Sequence, residues 1–252
     1  MAEGEQPIDR ALAIMRAVAE NGRPLSITEI AQQCGIPVPT THRLVAQLEQ
    51  LALLKRALGS KKLIVGPGLV QLGAAAVESS TRSDDVHRTL VALANELGEH
   101  CQLGIRVGNE VVYSDTVRAA RSGGLHFEQG KRAPLYCSSI GKLFLAELAT
   151  EEFEEWLQSN PRHSLTRRTL VSERALRAAI RAVREQGWAA SNEEMAAGVV
   201  GCAVPVRTRN GRLVAGLGVS VPSALTSFSE LGSLRPAMLK TAKAIARHIA
   251  SP

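Results

Sequence analysis

The chain has 252 residues, 45% of them hydrophobic and 21% charged, enough to bury a sizeable core in one domain or two. Its net charge of +6 and pI near 9.5 favour an acidic partner such as nucleic acid, while 3% aromatic content argues against a base-stacking platform for single strands. No basic segment precedes an apolar run at the N-terminus, no stretch is long enough to span a membrane, and Cys34, Cys101, Cys137 and Cys202 are scattered without a metal-binding spacing. The expectation is a reduced, cytoplasmic protein, off the membrane and without metal or other cofactor.

In chain order, Ile8, Leu12, Met15 and Val18/Ala19 form a helical stripe closed at Asn21–Gly22. Ser26 with Glu29 three residues on is a capping box, and Gly35 ends this second helix. Pro39 suits the first position of a third helix. There Thr41, Leu44, Val45, Leu48 and Leu51 share an inner arc, Pro39, His42, Arg43, Ala46 and Gln50 the opposite one, and Thr40 the edge. Leu53–Arg56 and Leu63–Val65 read as a hairpin whose turn holds Gly59, Ser60, Lys61 and Lys62. Three helices and a basic hairpin make a winged helix-turn-helix pattern, with the third helix as recognition helix. Its first turn, Pro39 to Arg43, would then meet DNA. Thr40, Thr41, His42 and Arg43 can reach phosphates or base edges, and Thr41 fits a buried cap equally well. Ser26 and Thr28 can touch phosphate from the second helix, and Lys61 and Lys62 from the wing. Residues 35–66 carry Arg43, Lys55, Arg56, Lys61 and Lys62 against Glu49 alone, which suits a polyanion.

Residues 67 to about 98 read as helix again, with Val86, Leu90, Leu93 and Leu97 in register. A hairpin turning at Gly108–Asn109 follows. Then come a helix at "SSIGKLFLAEL", another capped by Ser172 and ended by Gly187, a second hairpin turning at Asn210–Gly211, and a closing helix whose first turn contains Pro236. This order predicts an α+β domain, an antiparallel sheet flanked by helices. Catalysis is not expected. There is no GxSxG, His100 reads as a cap at the end of a helix, and the other histidines are scattered.

Three stretches, "LSITEIAQQCGIPVPTTHRLVAQLEQLALLKR", "APLYCSSIGKLFLAEL" and "QGWAASNEEMAAGVVGCAVPVRTRNGRLVAGLGVSVP", resemble in this order the IclR family of bacterial transcription regulators over essentially the whole chain. The resemblance implies a winged helix-turn-helix over residues 5–67, a linker helix over 68–82 and a GAF-like effector-binding domain over 83–252. It implies a homodimer or homotetramer on double-stranded operator DNA. It also places an effector pocket near Leu125, Ala133, Ser139, Ile140, Ser191, Val199, Gly201, Gly218 and Ser220. These residues mix small, apolar and hydroxyl groups without a fixed cation, so the expected effector is a small organic acid with an apolar body. Backbone N–H groups of Ser139, Ile140 and Gly141 at a helix start would receive its carboxylate, with Ile140 at the pocket mouth; the plainer reading of that start is an ordinary serine cap. The expected function is a ligand-responsive regulator, a repressor rather than an activator. The alternative is a small-molecule-binding or catalytic GAF-like protein with a vestigial DNA-binding domain. The chain departs from the family pattern at Ile64 in the wing, where an aromatic is usual, and at Ser191–Asn192, where Asp is frequent.

Overall fold

A computed structural model describes residues 6–81, 84–118 and 127–249. The chain divides into two compact units, Met1–Ala76 and Val77–Pro252, the division falling inside helix α4 (Pro67–Thr81).

The first unit holds α1 (Pro7–Glu20), α2 (Ile27–Cys34), α3 (Val38–Gln50) and a hairpin of β1 (Leu54–Arg56) and β2 (Leu63–Val65). The cap of α2 is local chemistry. Ser26 Oγ accepts from the Glu29 amide, Glu29 Oε2 accepts from the Ser26 amide, and Gly35 turns into the left-handed region to end the helix. The Glu29 carboxyl is held down at about 2, first by the Ser26 amide and then by Arg23. Leu44, Val45 and Leu48 of α3 meet Ile14 and Val18 of α1, Ile30 of α2 and Leu54 and Leu63 of the hairpin in one core. Two expectations shift. The inner arc of α3 stops at Leu48, because Leu51 is already the C-cap and is exposed. On α1 the buried face is Ile14, Ala17 and Val18, whereas Ile8 and Leu12 are 67% and 52% exposed. Only the second half of α1 packs on its neighbours.

The second unit opens with α5 (Asp84–Leu97), then β3 (His100–Val107) and β4 (Glu110–Val117). β5 (Arg132–Pro134), α6 (Ser139–Ala146), α7 (Thr150–Ser159) and α8 (Glu173–Gln186) follow. β6 (Ala189–Asn192), β7 (Val199–Arg207), β8 (Leu213–Pro222) and α9 (Arg235–Ile249) complete it. Pro236 sits at the second position of α9, where its missing N–H would have had no helical partner. The sheet is antiparallel throughout, in the order β5-β4-β3-β8-β7-β6. It therefore has six strands rather than the four of the two expected hairpins. The hairpins form its centre, and β5 and β6 add one short strand at each edge.

Each sheet face has its own core. Val86, Leu90 and Leu93 of α5 and Met238, Ala242 and Ile245 of α9 cover Cys101, Leu103, Cys202, Val204, Leu217 and Val219. Each fully buried aliphatic side chain there contributes about 1.5–3 kcal/mol relative to exposure. On the other face α6, α7 and α8 pack through Ile140, Phe144, Phe153, Trp156, Leu176 and Ile180. The central strands turn Gln102, Gly104, Gly201, Gly216, Gly218 and Ser220 to this second side, and the small residues leave room for what lies above them.

Candidate DNA face and ligand cavity

The first turn of α3 is open. Pro39, His42 and Arg43 are exposed and Thr40 is half-buried. Among the described residues the Arg43 guanidinium has no hydrogen-bond or ion-pair partner, and neither do the Lys61 and Lys62 ammonium groups. Arg56 is committed elsewhere. Its Nε and Nη2 donate to the two carboxylate oxygens of Glu49 at 2.7 and 2.9 Å, and its Nη1 donates to the Lys61 carbonyl at 2.5 Å. This fork ties the wing turn to the end of α3 and leaves the wing lysines outward. Thr28 is exposed, and half-buried Ser26 serves the α2 cap. Thr41 is the correction. It is wholly buried, and its hydroxyl donates to the carbonyls of Pro37 and Ile36, so it closes the turn before α3 and is unavailable to DNA.

In the second unit the start of α6 borders a cavity of about 30 Å³. Ser139, Ser191, Val199, Gly201 and Ser220 line it, together with Gln102, Tyr113, Phe127, Cys137, Ser138, Met195 and Ala196. Ser138 caps α6, accepting from the Gly141 amide at 3.1 Å and donating to the Pro134 carbonyl at 2.9 Å. The Ser139 and Ile140 amides make no hydrogen bond to protein groups among the described residues, so two donors at the positive end of the helix remain free. Gly141 is not a third, since its N–H belongs to Ser138. A Cβ on Gly141 would meet Leu135 backbone at 2.3 Å, so its role is close packing.

Three more expected lining residues lie elsewhere. Ile140 is not at the mouth. It is buried against the sheet, where Cβ atoms built on Gly216, Gly218 and Gly104 would come within 2.7, 3.0 and 3.2 Å of its side chain. Gly218 thus faces Ile140 and the Gln102 amide, and Ala133 is buried in register with Val111. Leu125 lies outside the described residues. His100, read from sequence as a helix cap, is a buried first residue of β3 with its ring 5.6 Å from that of Phe127.

The side chains around the cavity carry no ionised group. Burial pushes the Cys137 thiol up to about 12 and raises Tyr113. Beside it lies a buried ion pair. Lys142 Nζ donates to Glu194 Oε1 at 2.5 Å and to the Ala190 carbonyl at 2.9 Å. Burial pulls the Lys142 ammonium down and Glu194 holds it up. Thr169 Oγ1 donates to the Glu194 carbonyl at 2.6 Å. Glu193 lies in the left-handed region at φ 55°, and its carboxylate accepts from the Gly198 amide at 3.0 Å. The segment 193–198, which gives Met195 and Ala196 to the cavity, is thus pinned to α6 and closed on itself.

An open recognition helix with a basic wing in one unit, and a polar cavity in a separate α+β unit, define a DNA-binding regulator with a ligand-binding domain. Residues 7–57 match the family described as the IclR helix-turn-helix domain, and residues 75–247 the one described as bacterial transcriptional regulator IclR C-terminal. The chain belongs to the IclR family of transcriptional regulators. It is similar to the HTH-type transcriptional regulator KdgR of Escherichia coli, at 31% identity over 92% of this chain and 88% of that one. It is similar to the transcriptional repressor IclR of the same organism, at 26% identity over 95% and 88%. Its fold is that of an IclR homologue from Microbacterium hydrocarbonoxydans complexed with 4-hydroxybenzoate, with a TM-score of 0.60, 21% identity and coverage of 97% and 99%. Among the described residues no helix is long and apolar enough to cross a membrane, and no group of His, Cys, Asp and Glu side chains could hold a metal ion.

Proposed function

We propose that this regulator is a cytoplasmic repressor that acts as a homodimer or homotetramer, and that a small organic acid modulates its hold on operator DNA. The observation that carries the DNA part is the open first turn of α3, where Arg43 stands exposed beside His42 without a protein partner among the described residues. Such a guanidinium can fork onto guanine or phosphate, whereas Arg56, already paired with Glu49, cannot. The acid part is supported by the two free amides at the start of α6 and by the hydroxyls around the cavity. The residues proposed to meet DNA are Pro39, Thr40, His42, Arg43, Lys61 and Lys62, with Ser26 and Thr28 along the phosphates.

The test is a salt-dependent binding titration on operator DNA. Arg43→Ala weakens operator binding by about 1–3 kcal/mol and relaxes specificity. Lys62→Ala weakens every duplex alike and reduces the salt slope by about 1. Unchanged operator affinity for Arg43→Ala removes α3 from the role given to it.

A further inference from the structure

We infer that the ligand of the α6 cavity is a short hydroxy acid, and that Gln102 reads its hydroxyl. This rests on the reading of that cavity as the seat of a small acid.

Gln102 lies on β3 with 2% of its surface exposed. Its Nε2 donates to Ser220 Oγ at 2.8 Å, and its Oε1 has no hydrogen-bond partner. A buried amide oxygen without a partner is expensive, and natural proteins keep such atoms where something else satisfies them. The place of the amide is built into the sheet: a Cβ on Gly218 would lie 3.1 Å from Nε2. The neighbouring hydroxyls of Tyr113 and Ser139 also line the cavity and make no hydrogen bond among the described residues.

Gln102 discriminates whichever way its amide is turned. With Nε2 on Ser220 the unpaired atom is an acceptor, and with the two ends exchanged it is a donor. A hydroxyl serves both arrangements, since it donates and accepts, whereas a methyl or methylene serves neither. The ligand carboxylate has its own receptor at the start of α6, where Ser139 lines the cavity with its amide unpaired among the described residues, and the lining side chains hold no cation to compete for it. A cavity of about 30 Å³ has room for little more than two or three water molecules, so the acid is short.

Calorimetry on the full-length protein with DL-lactate and with propionate isolates the hydroxyl, because the two acids share three carbons and one carboxylate. The native protein binds lactate at least about tenfold tighter than propionate. Gln102→Met, close in shape to glutamine, abolishes the preference for lactate over propionate. Equal affinities in the native protein overturn the inference and leave the acid reading standing. So does a lactate preference that survives in Gln102→Met. Should neither acid bind the native protein up to millimolar concentrations, the acid reading fails and the inference fails with it. The native-protein comparison decides the matter even where Gln102→Met does not fold.

Discussion

His100 shows how one side chain couples this fold to pH. Burial first, and the Arg118 charge second, hold its imidazole at about 4, against an ordinary value near 6.5. Between these values the unfolded chain takes up a proton that the folded chain refuses. Stability from this residue is therefore fully present above about pH 6.5 and is lost as pH falls towards 4. The contribution is at most about 3 kcal/mol. In urea unfolding followed at pH 7.5 and 5, His100→Phe flattens the fall in stability that the native protein shows. An unchanged pH slope in the variant would place the acid sensitivity in other groups.

Elements differ in how plainly the sequence announces them. Ser26 with Glu29, Ser172 with Gly187, and the Gly108–Asn109 and Asn210–Gly211 turns act within a few residues, and each marks an end of an observed helix or strand. β5 and β6 are three and four residues long, and only their distant partners Val111 and Cys202 make them strands. α7 carries Phe153, Trp156 and Leu157 at helical spacing, but its N-cap position is Ala149, which has no side-chain oxygen to signal a cap. At the cavity, the serines before α6 are a local signal. Gln102 is legible only as a polar residue inside a strand that is buried on both faces. Whether such a residue meets a cavity or a partner depends on the packing of α6 above the sheet. The tie between α6 and the 193–198 segment is likewise long-range. Glu194→Leu leaves the Lys142 ammonium buried without its counter-ion and costs about 3–5 kcal/mol in chemical denaturation, while Lys142→Met with Glu194→Leu recovers most of it. A double variant as unstable as the single one would mean that the pair does more than neutralise itself.

Over the whole molecule, the first unit leaves apolar side chains that its own core does not use. Ile8 and Leu12 of α1 and Val70 and Leu72 of α4 are each more than half exposed. Large apolar residues left exposed on a helix favour association, and a two-fold pair of recognition helices fits a pseudo-palindromic site. Ile8→Glu combined with Leu12→Glu is expected to give a monomer in light scattering. It is also expected to bind operator no better than a single half-site allows. A dimer that persists in this variant with full operator affinity would move the contact to another surface. Ligand control then requires the acid to favour one DNA-binding arrangement over another, with a coupling of about 1–3 kcal/mol.

The seat of Ile140 also has a genetic consequence. Because its side chain fills the space where Cβ atoms at Gly216, Gly218 and Gly104 would stand, these four positions do not mutate independently. Gly216→Ala alone brings a methyl within 2.7 Å of Ile140 and costs roughly 1–3 kcal/mol by overpacking. In an Ile140→Ala background, which removes the Cγ2 that the new methyl meets, the same substitution costs less than its effect alone, and a thermodynamic double-mutant cycle reads the difference as coupling. Strict additivity would mean that the sheet yields instead of the helix. The floor beneath α6 behaves as one inherited unit, in which the tolerance of each site is written at another.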